Sequence, residues 1–195
     1  MKVLNKLYNY SGCLLYALRS TACKKDKISI KPPKNFYILN NVLQEKQIHN
    51  ECSGYSSAFL LRYFGKSAAG IDVYNEMKFK IPSSGYALPF SILEVLSRHG
   101  IDYRIMRGNL QTLKARLSLG KPLIVLIGYG LEWQHYITLL GYDEEKKELY
   151  FFDSLKNPLP SSKFSCNSSM KEDAFLSFWE NGIPFYEYIY LAPKD

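Results

Sequence analysis

The stretch Cys52-Ser53-Gly54-Tyr55-Ser56-Ser57-Ala58-Phe59-Leu60-Leu61-Arg62-Tyr63-Phe64-Gly65 decides how this chain reads. A small, polar entry runs into an apolar stretch, and a glycine closes it, which is the pattern of a core helix with a C-terminal stop. Its first residue is a cysteine. The opening turn of a helix presents backbone N–H groups without intrahelical partners, and the dipole there is positive, a setting that favours an ionised thiol. A cysteine at a helix start is more often a packed small side chain, so the case rests on its company.

That company lies far downstream. Gln134-His135-Tyr136-Ile137-Thr138-Leu139-Leu140-Gly141-Tyr142 puts a histidine at the head of a strand-like run, and a second strand ends in Phe151-Phe152-Asp153. The charged turn Asp143-Glu144-Glu145-Lys146-Lys147-Glu148 joins them as an antiparallel hairpin. Thiol catalysis needs a thiolate, a base that shuttles protons, and donors for the developing oxyanion. Cys52, His135 and Asp153 fit the roles of nucleophile, base and ring-orienting acceptor, with Asp143 a weaker rival to Asp153. The Cys52 backbone N–H is half an oxyanion hole, and a glutamine shortly before it would be the other half. Gln44 and Gln47 both qualify, and Gln44, leading out of a plausible strand, is the first choice. His99, before Gly100 at a helix end, reads as structural, and His49 as solvent-exposed. Trp133 and Tyr136 flank His135 and could shield it, line a cleft or fill the core.

Outward from these segments, Lys24 to Lys34 is polar and charged and contains Pro32-Pro33, the composition of a linker. Residues 1–34 therefore read as a basic, amphipathic leader and linker, and residues 35–195 as the domain. A short strand is expected over 36–43, and helices over 52–65, 71–79, 89–98, 110–119 and 171–179. Strands are expected over 101–107, 122–127, 135–142, 148–153 and 186–191, with a Ser/Pro-rich loop over 159–169. Helices precede the sheet, so the class is α+β and not a wound parallel sheet.

The 195 residues suffice for a proper core, and 47% hydrophobic composition excludes a disordered chain. A net charge of +7 raises the question of nucleic acid. The basic residues cluster only at Lys24-Lys25-Asp26-Lys27 and Lys31-Pro32-Pro33-Lys34, with no aromatic-interleaved stripe and no zinc-finger spacing, so nucleic acid is not an expected partner. Four cysteines and three histidines show no metal-ligand spacing, and neither metal nor organic cofactor is expected. Mostly free thiols are expected, although Cys13 and Cys23 could pair in an oxidising compartment. The apolar patch Gly12 to Leu18 is too short to span a bilayer, which takes about 18–20 residues. It reads as an amphipathic helix that packs on the domain, acts as a prosegment or touches a membrane surface. A cytoplasmic or peripherally membrane-associated location follows, with secretion left open.

The run Asn50-Glu51-Cys52-Ser53-Gly54, with Ala58 and Leu61-Arg62-Tyr63-Phe64-Gly65, resembles the catalytic helix of the bacteriocin-processing (double-glycine leader) cysteine peptidases and their stand-alone relatives. Gly120-Lys121-Pro122 followed by Leu123 to Ile127 is similar to that family's strand before the histidine. His135-Tyr136, Gly141-Tyr142-Asp143 and Phe152-Asp153 are similar to its later motifs. The resemblance covers roughly residues 40–155. Ser53 stands where the family usually has glycine, and the chain carries no transporter segment, which points to a stand-alone member. The resemblance implies a papain-like fold, a bacterial or phage-like source, and a cysteine peptidase working through an acyl-thioester on Cys52. The expected substrate is a peptide. The alternatives are an acyltransferase fed by an acyl carrier, and a catalytically silent binding module. Oligomeric state is not legible.

Overall fold

The computed structural model describes residues 2–160 and 164–194. The chain opens with helix α1 (Lys2–Thr21) and two short strands, β1 (Lys24–Lys25) and β2 (Asn35–Tyr37). A helical half follows: α2 (Cys52–Tyr63), α3 (Gly70–Glu76) and α4 (Pro89–Arg98). Then come β3 (Tyr103–Arg107), α5 (Leu110–Leu117), β4 (Leu123–Tyr129), β5 (Trp133–Asp143) and β6 (Glu148–Phe152). The chain finishes with β7 (Ser168–Lys171), α6 (Glu172–Trp179) and β8 (Ile189–Pro193). This is the expected α+β class. The sheet order is β1-β3-β8-β4-β5-β6-β7, with β2 paired to the far end of β5. Every pairing is antiparallel except β1 with β3.

Local chemistry accounts for these boundaries. Pro89 opens α4, where a missing N–H costs nothing. Asn109 and Thr112 cap α5 reciprocally, each side chain accepting the other's backbone N–H at 2.9 Å. Gly65 follows α2 with φ of +76°, the left-handed turn a glycine permits. The run Leu123–Ile127 is buried on both sides of the sheet. Ile124 and Leu126 join the core under α2 and α4, while Leu123, Val125 and Ile127 join the core under α5 and α6. This explains why β4 reads as a continuous apolar run instead of an alternating one.

Four boundaries differ from expectation. The strand expected over 36–43 pairs regularly only over β2, then continues through one bond from Ile38 N to Leu140 O (2.8 Å) and an isolated bridge between Asn40 and Phe164. Strand β7 occupies the end of the presumed loop, drawn in by the free edge of β6; residues 161–163 of that loop lie outside the described residues. The last strand begins at Ile189 because Phe185 and Tyr188 take positive φ (72° and 54°), which breaks an extended run.

The fourth difference is the presumed linker. β1 adds a parallel strand to β3 through Lys24↔Met106 and Lys25↔Arg107. The next residue, Asp26, is buried against α5 and β8. Its carboxylate accepts two hydrogen bonds from Arg116, at 2.8 and 3.0 Å, and one from the Tyr190 hydroxyl. Those bonds outweigh the burial that would otherwise raise its pKa and hold it below the ordinary carboxylate value. A buried ion pair adds little over an apolar replacement, but removing one member strands the other. Asp26→Ala should therefore destabilise the fold by about 3–5 kcal/mol in urea unfolding, whereas exposed Lys25→Ala should stay within about 0.5 kcal/mol.

Candidate active site

Helix α2 is buried from Cys52 to Leu61, and its composition suits close approach on two sides. A Cβ on Gly54 would meet the Tyr74 Cβ at 2.4 Å and the Gly70 carbonyl at 2.6 Å, so only glycine lets α3 pack there. Toward the sheet, Ser56 Oγ donates to the Tyr136 carbonyl (3.0 Å), and Thr138 Oγ1 donates to the Ser56 carbonyl (3.4 Å). Farther along, Phe59 stacks on Phe152 at 4.5 Å between centroids. These contacts fix the start of α2 against β5 and β6. Cys52 thereby lies beside His135, whose pKa it helps to raise, and the two line one cavity.

The other side of the ring meets Asp153. His135 Nε2 lies 2.7 Å from Asp153 Oδ1, which leaves Nδ1 as the nitrogen facing Cys52. Burial works against a charged imidazole here. The Asp153 hydrogen bond and the adjacent Cys52 outweigh it, and the pKa of His135 rises to about 9. Asp153 shifts the opposite way: burial pushes it up, but the hydrogen bond from His135 and that ring's charge bring it below the usual carboxylate value. Its Oδ1 also accepts the Leu155 N–H at 2.9 Å. Trp133, two residues before His135 on β5, stacks over the imidazole at 5.5 Å and 28°. It thus covers the ring, while Tyr136 is fully buried and donates to the Ala87 carbonyl.

The two glutamines separate cleanly. Gln47 lines a cavity of about 360 Å³ together with Cys52, His135, Trp133 and Tyr186. Gln44 does not line it. Its side chain turns away and accepts the Leu159 N–H at 2.9 Å, so of the two glutamines named from the sequence the structure brings Gln47, and not the preferred Gln44, to the cavity. The reason is a tether no local pattern reveals. Gln47 N donates to the Ser154 carbonyl at 2.9 Å, Ser154 Oγ donates to Gln47 Oε1, and Gln47 Nε2 donates to the His49 carbonyl.

Ser154 and Asn167 escaped the sequence reading. Asn167 grips the backbone of Asp153, accepting its N–H at 2.7 Å and donating to its carbonyl at 2.9 Å. Position next to Asp153 is a faint signal for Ser154; Asn167, amid serines, carries none. The remaining polar residues have structural partners. Asp143 accepts from Glu145 N and Lys146 N and caps its turn, His99 pairs with Glu76 at 3.0 Å, and His49 is exposed. All four cysteines are free thiols. Among the described residues no His, Cys, Asp or Glu cluster could hold a metal ion.

Comparison with known proteins places this geometry. A model described as the "Peptidase_C39 like family" matches residues 39–181, well over half of the chain. No curated protein matches it in sequence. Among solved structures, the peptidase domain of Streptococcus ComA, a bifunctional ABC transporter involved in quorum sensing, superposes with a TM-score of 0.56 at 19% identity. That match covers 82% of this chain and all of the other. A double-glycine-motif protease from an AMS/PCAT transporter, solved with its leader peptide, gives 0.54 at 18% identity over 85% of this chain and all of that one. Xylellain, a cysteine protease from Xylella fastidiosa, gives 0.50 at 14% identity over 84% and 86%. At these identities the likeness establishes the fold, which is papain-like.

An imidazole whose pKa is raised on folding contributes stability in full below its ordinary value of about 6.5 and loses it as pH rises through the folded value. For His135 that window runs up to about 9. Its ring resonances, followed by NMR, should titrate near pH 9, and Asp153→Asn should move the midpoint downward.

Proposed function

We propose that this chain, which belongs to the peptidase C39-like family, is a cysteine peptidase that cleaves a peptide bond through an acyl-thioester on Cys52. The observation that carries the reading is the gathering of Cys52, His135 and Gln47 around one cavity, with Asp153 behind the ring. With the Cys52 proton already held on His135 Nδ1, the sulfur attacks the scissile carbonyl. The imidazolium, held in place by Asp153, then protonates the departing amine. In the second half, the neutral ring takes a proton from water, which attacks the thioester and releases the acid.

The oxyanion formed in both halves needs donors. The backbone N–H of Cys52 lies in the first turn of α2, where no intrahelical acceptor exists. Gln47 Nε2 is the second donor: Ser154 holds the amide oxygen and the His49 carbonyl takes one Nε2 hydrogen, which leaves the other hydrogen for the cavity. Apolar side chains dominate the rest of the cavity, with Ile81, Tyr86, Leu88 and Ile183 among them and Glu132 at its exposed edge. An apolar residue beside the scissile bond is therefore the preferred substrate feature.

Two measurements test this. Iodoacetamide near neutral pH should label Cys52 faster than Cys166, whose thiol burial pushes up, and His135→Ala should abolish the difference. Equal labelling of the two would leave the site a silent binding module. In a peptide-cleavage assay, Gln47→Ala should lower kcat by about 10²–10³, whereas Gln44→Ala should leave it near wild type. Gln47→Glu, which keeps an acceptor for Ser154 but loses the donor, should fall as far as Gln47→Ala. Product analysis with an added amine separates hydrolysis from acyl transfer, since a new amide would assign the latter.

A further inference from the structure

Helix α1 packs one side on the domain and leaves a second apolar side open. On the inner side Tyr16 is buried in the core, its ring edge-on to Phe79 and Phe90. Gly12 sits against the Phe79 ring, the Tyr16 hydroxyl donates to Glu94 at 2.5 Å, and Ser20 Oγ accepts the Phe90 N–H at 3.0 Å. Ser20 is fully buried and donates to the Tyr16 carbonyl at 2.7 Å, and Tyr16 lies in the core, so the helix is anchored in the fold. On the outer side, Leu7, Leu14 and Leu18 are 62%, 64% and 61% exposed, with Tyr10 at 52%. Spacings of three, four and seven residues put these four on one stripe. Singly exposed leucines are ordinary, but a continuous stripe marks a surface that something covers.

Charge identifies the cover. The first 25 residues hold five Lys or Arg and no Asp or Glu. Directly after the helix, Lys24, Lys25 and Lys27 line a separate cavity of about 720 Å³ together with Arg104. A second copy of the chain would bring this cationic segment against its own like. An anionic bilayer instead offers acyl chains to the leucines and negative headgroups to the lysines, and a tyrosine suits the boundary between them. The helix is not long and apolar enough to cross a membrane, which fits a helix that lies on one. We propose that α1 docks this protein in the plane of an anionic membrane surface, with the leucine stripe inserted and the Lys24–Lys27 cluster against the headgroups.

Vesicle co-sedimentation of the full chain tests this, using phosphatidylcholine alone and phosphatidylcholine with about 30% phosphatidylglycerol. The chain should pellet with the anionic vesicles and far less with the neutral ones, and added salt should weaken binding severalfold. Each of Leu14→Glu and Leu18→Glu should weaken binding by roughly tenfold or more. Both positions face solvent, so far-UV circular dichroism and the melting temperature should not change. The triple change Lys24→Gln, Lys25→Gln and Lys27→Gln, outside the helix, should reduce binding to anionic vesicles alone. Absence of pelleting, equal pelleting with neutral vesicles, or indifference to the leucine changes would each overturn the proposal. So would a concentration-dependent dimer that Leu14→Glu dissociates, which would assign the stripe to a second copy.

Discussion

The close seating of α2 on β5 is the constraint from which the rest of the site follows. Papain-like chemistry asks two distant segments to present side chains within a hydrogen bond of each other, and a bulky helix face would hold them too far apart. Ser56 removes that bulk on the side facing β5, and Gly54 removes it on the side facing α3. Ser56 then adds direction through its bond to the Tyr136 carbonyl, next to His135. Interiors at this density transmit small displacements, so the packing of serine and glycine sets the geometry available to sulfur and imidazole.

A buried histidine–aspartate pair is a poor way to gain stability, since both groups lose hydration. Here the cost is offset locally. Asp153 has its carboxylate bonded by His135 and Leu155, and its backbone gripped by Asn167. Trp133 stacks over one face of the ring. The environment thus favours the charged ring at neutral pH in spite of burial. That is the state a thiol-dependent mechanism needs at the start of each cycle.

Much of this was legible in the order of residues. The helix of Cys52 and the strands carrying His135 and Asp153 follow from periodicity and turn chemistry, because each is built from local contacts. The glutamine was not so readable. The one local hint, a strand leading into Gln44, pointed the other way, and which of the two reaches the cavity rests on Ser154, more than a hundred positions away. The segment 24–34 misled for a related reason. Lysines and prolines read as a linker, but Asp26 finds Arg116 and Tyr190 only once the sheet exists. β7 was hidden likewise, since short polar strands such as Ser168–Lys171 are made by the edge they join.

Strand β1 also bears on how crowded copies of this molecule behave. It is the last strand on its side of the sheet, two residues long, with both lysines exposed. An open sheet margin is a template for another polypeptide, and long, flat, uncharged margins seed aggregates. Two adjacent cations on a stub this short make the margin repel its own likeness. Brevity and charge therefore guard this margin against edge-to-edge pairing.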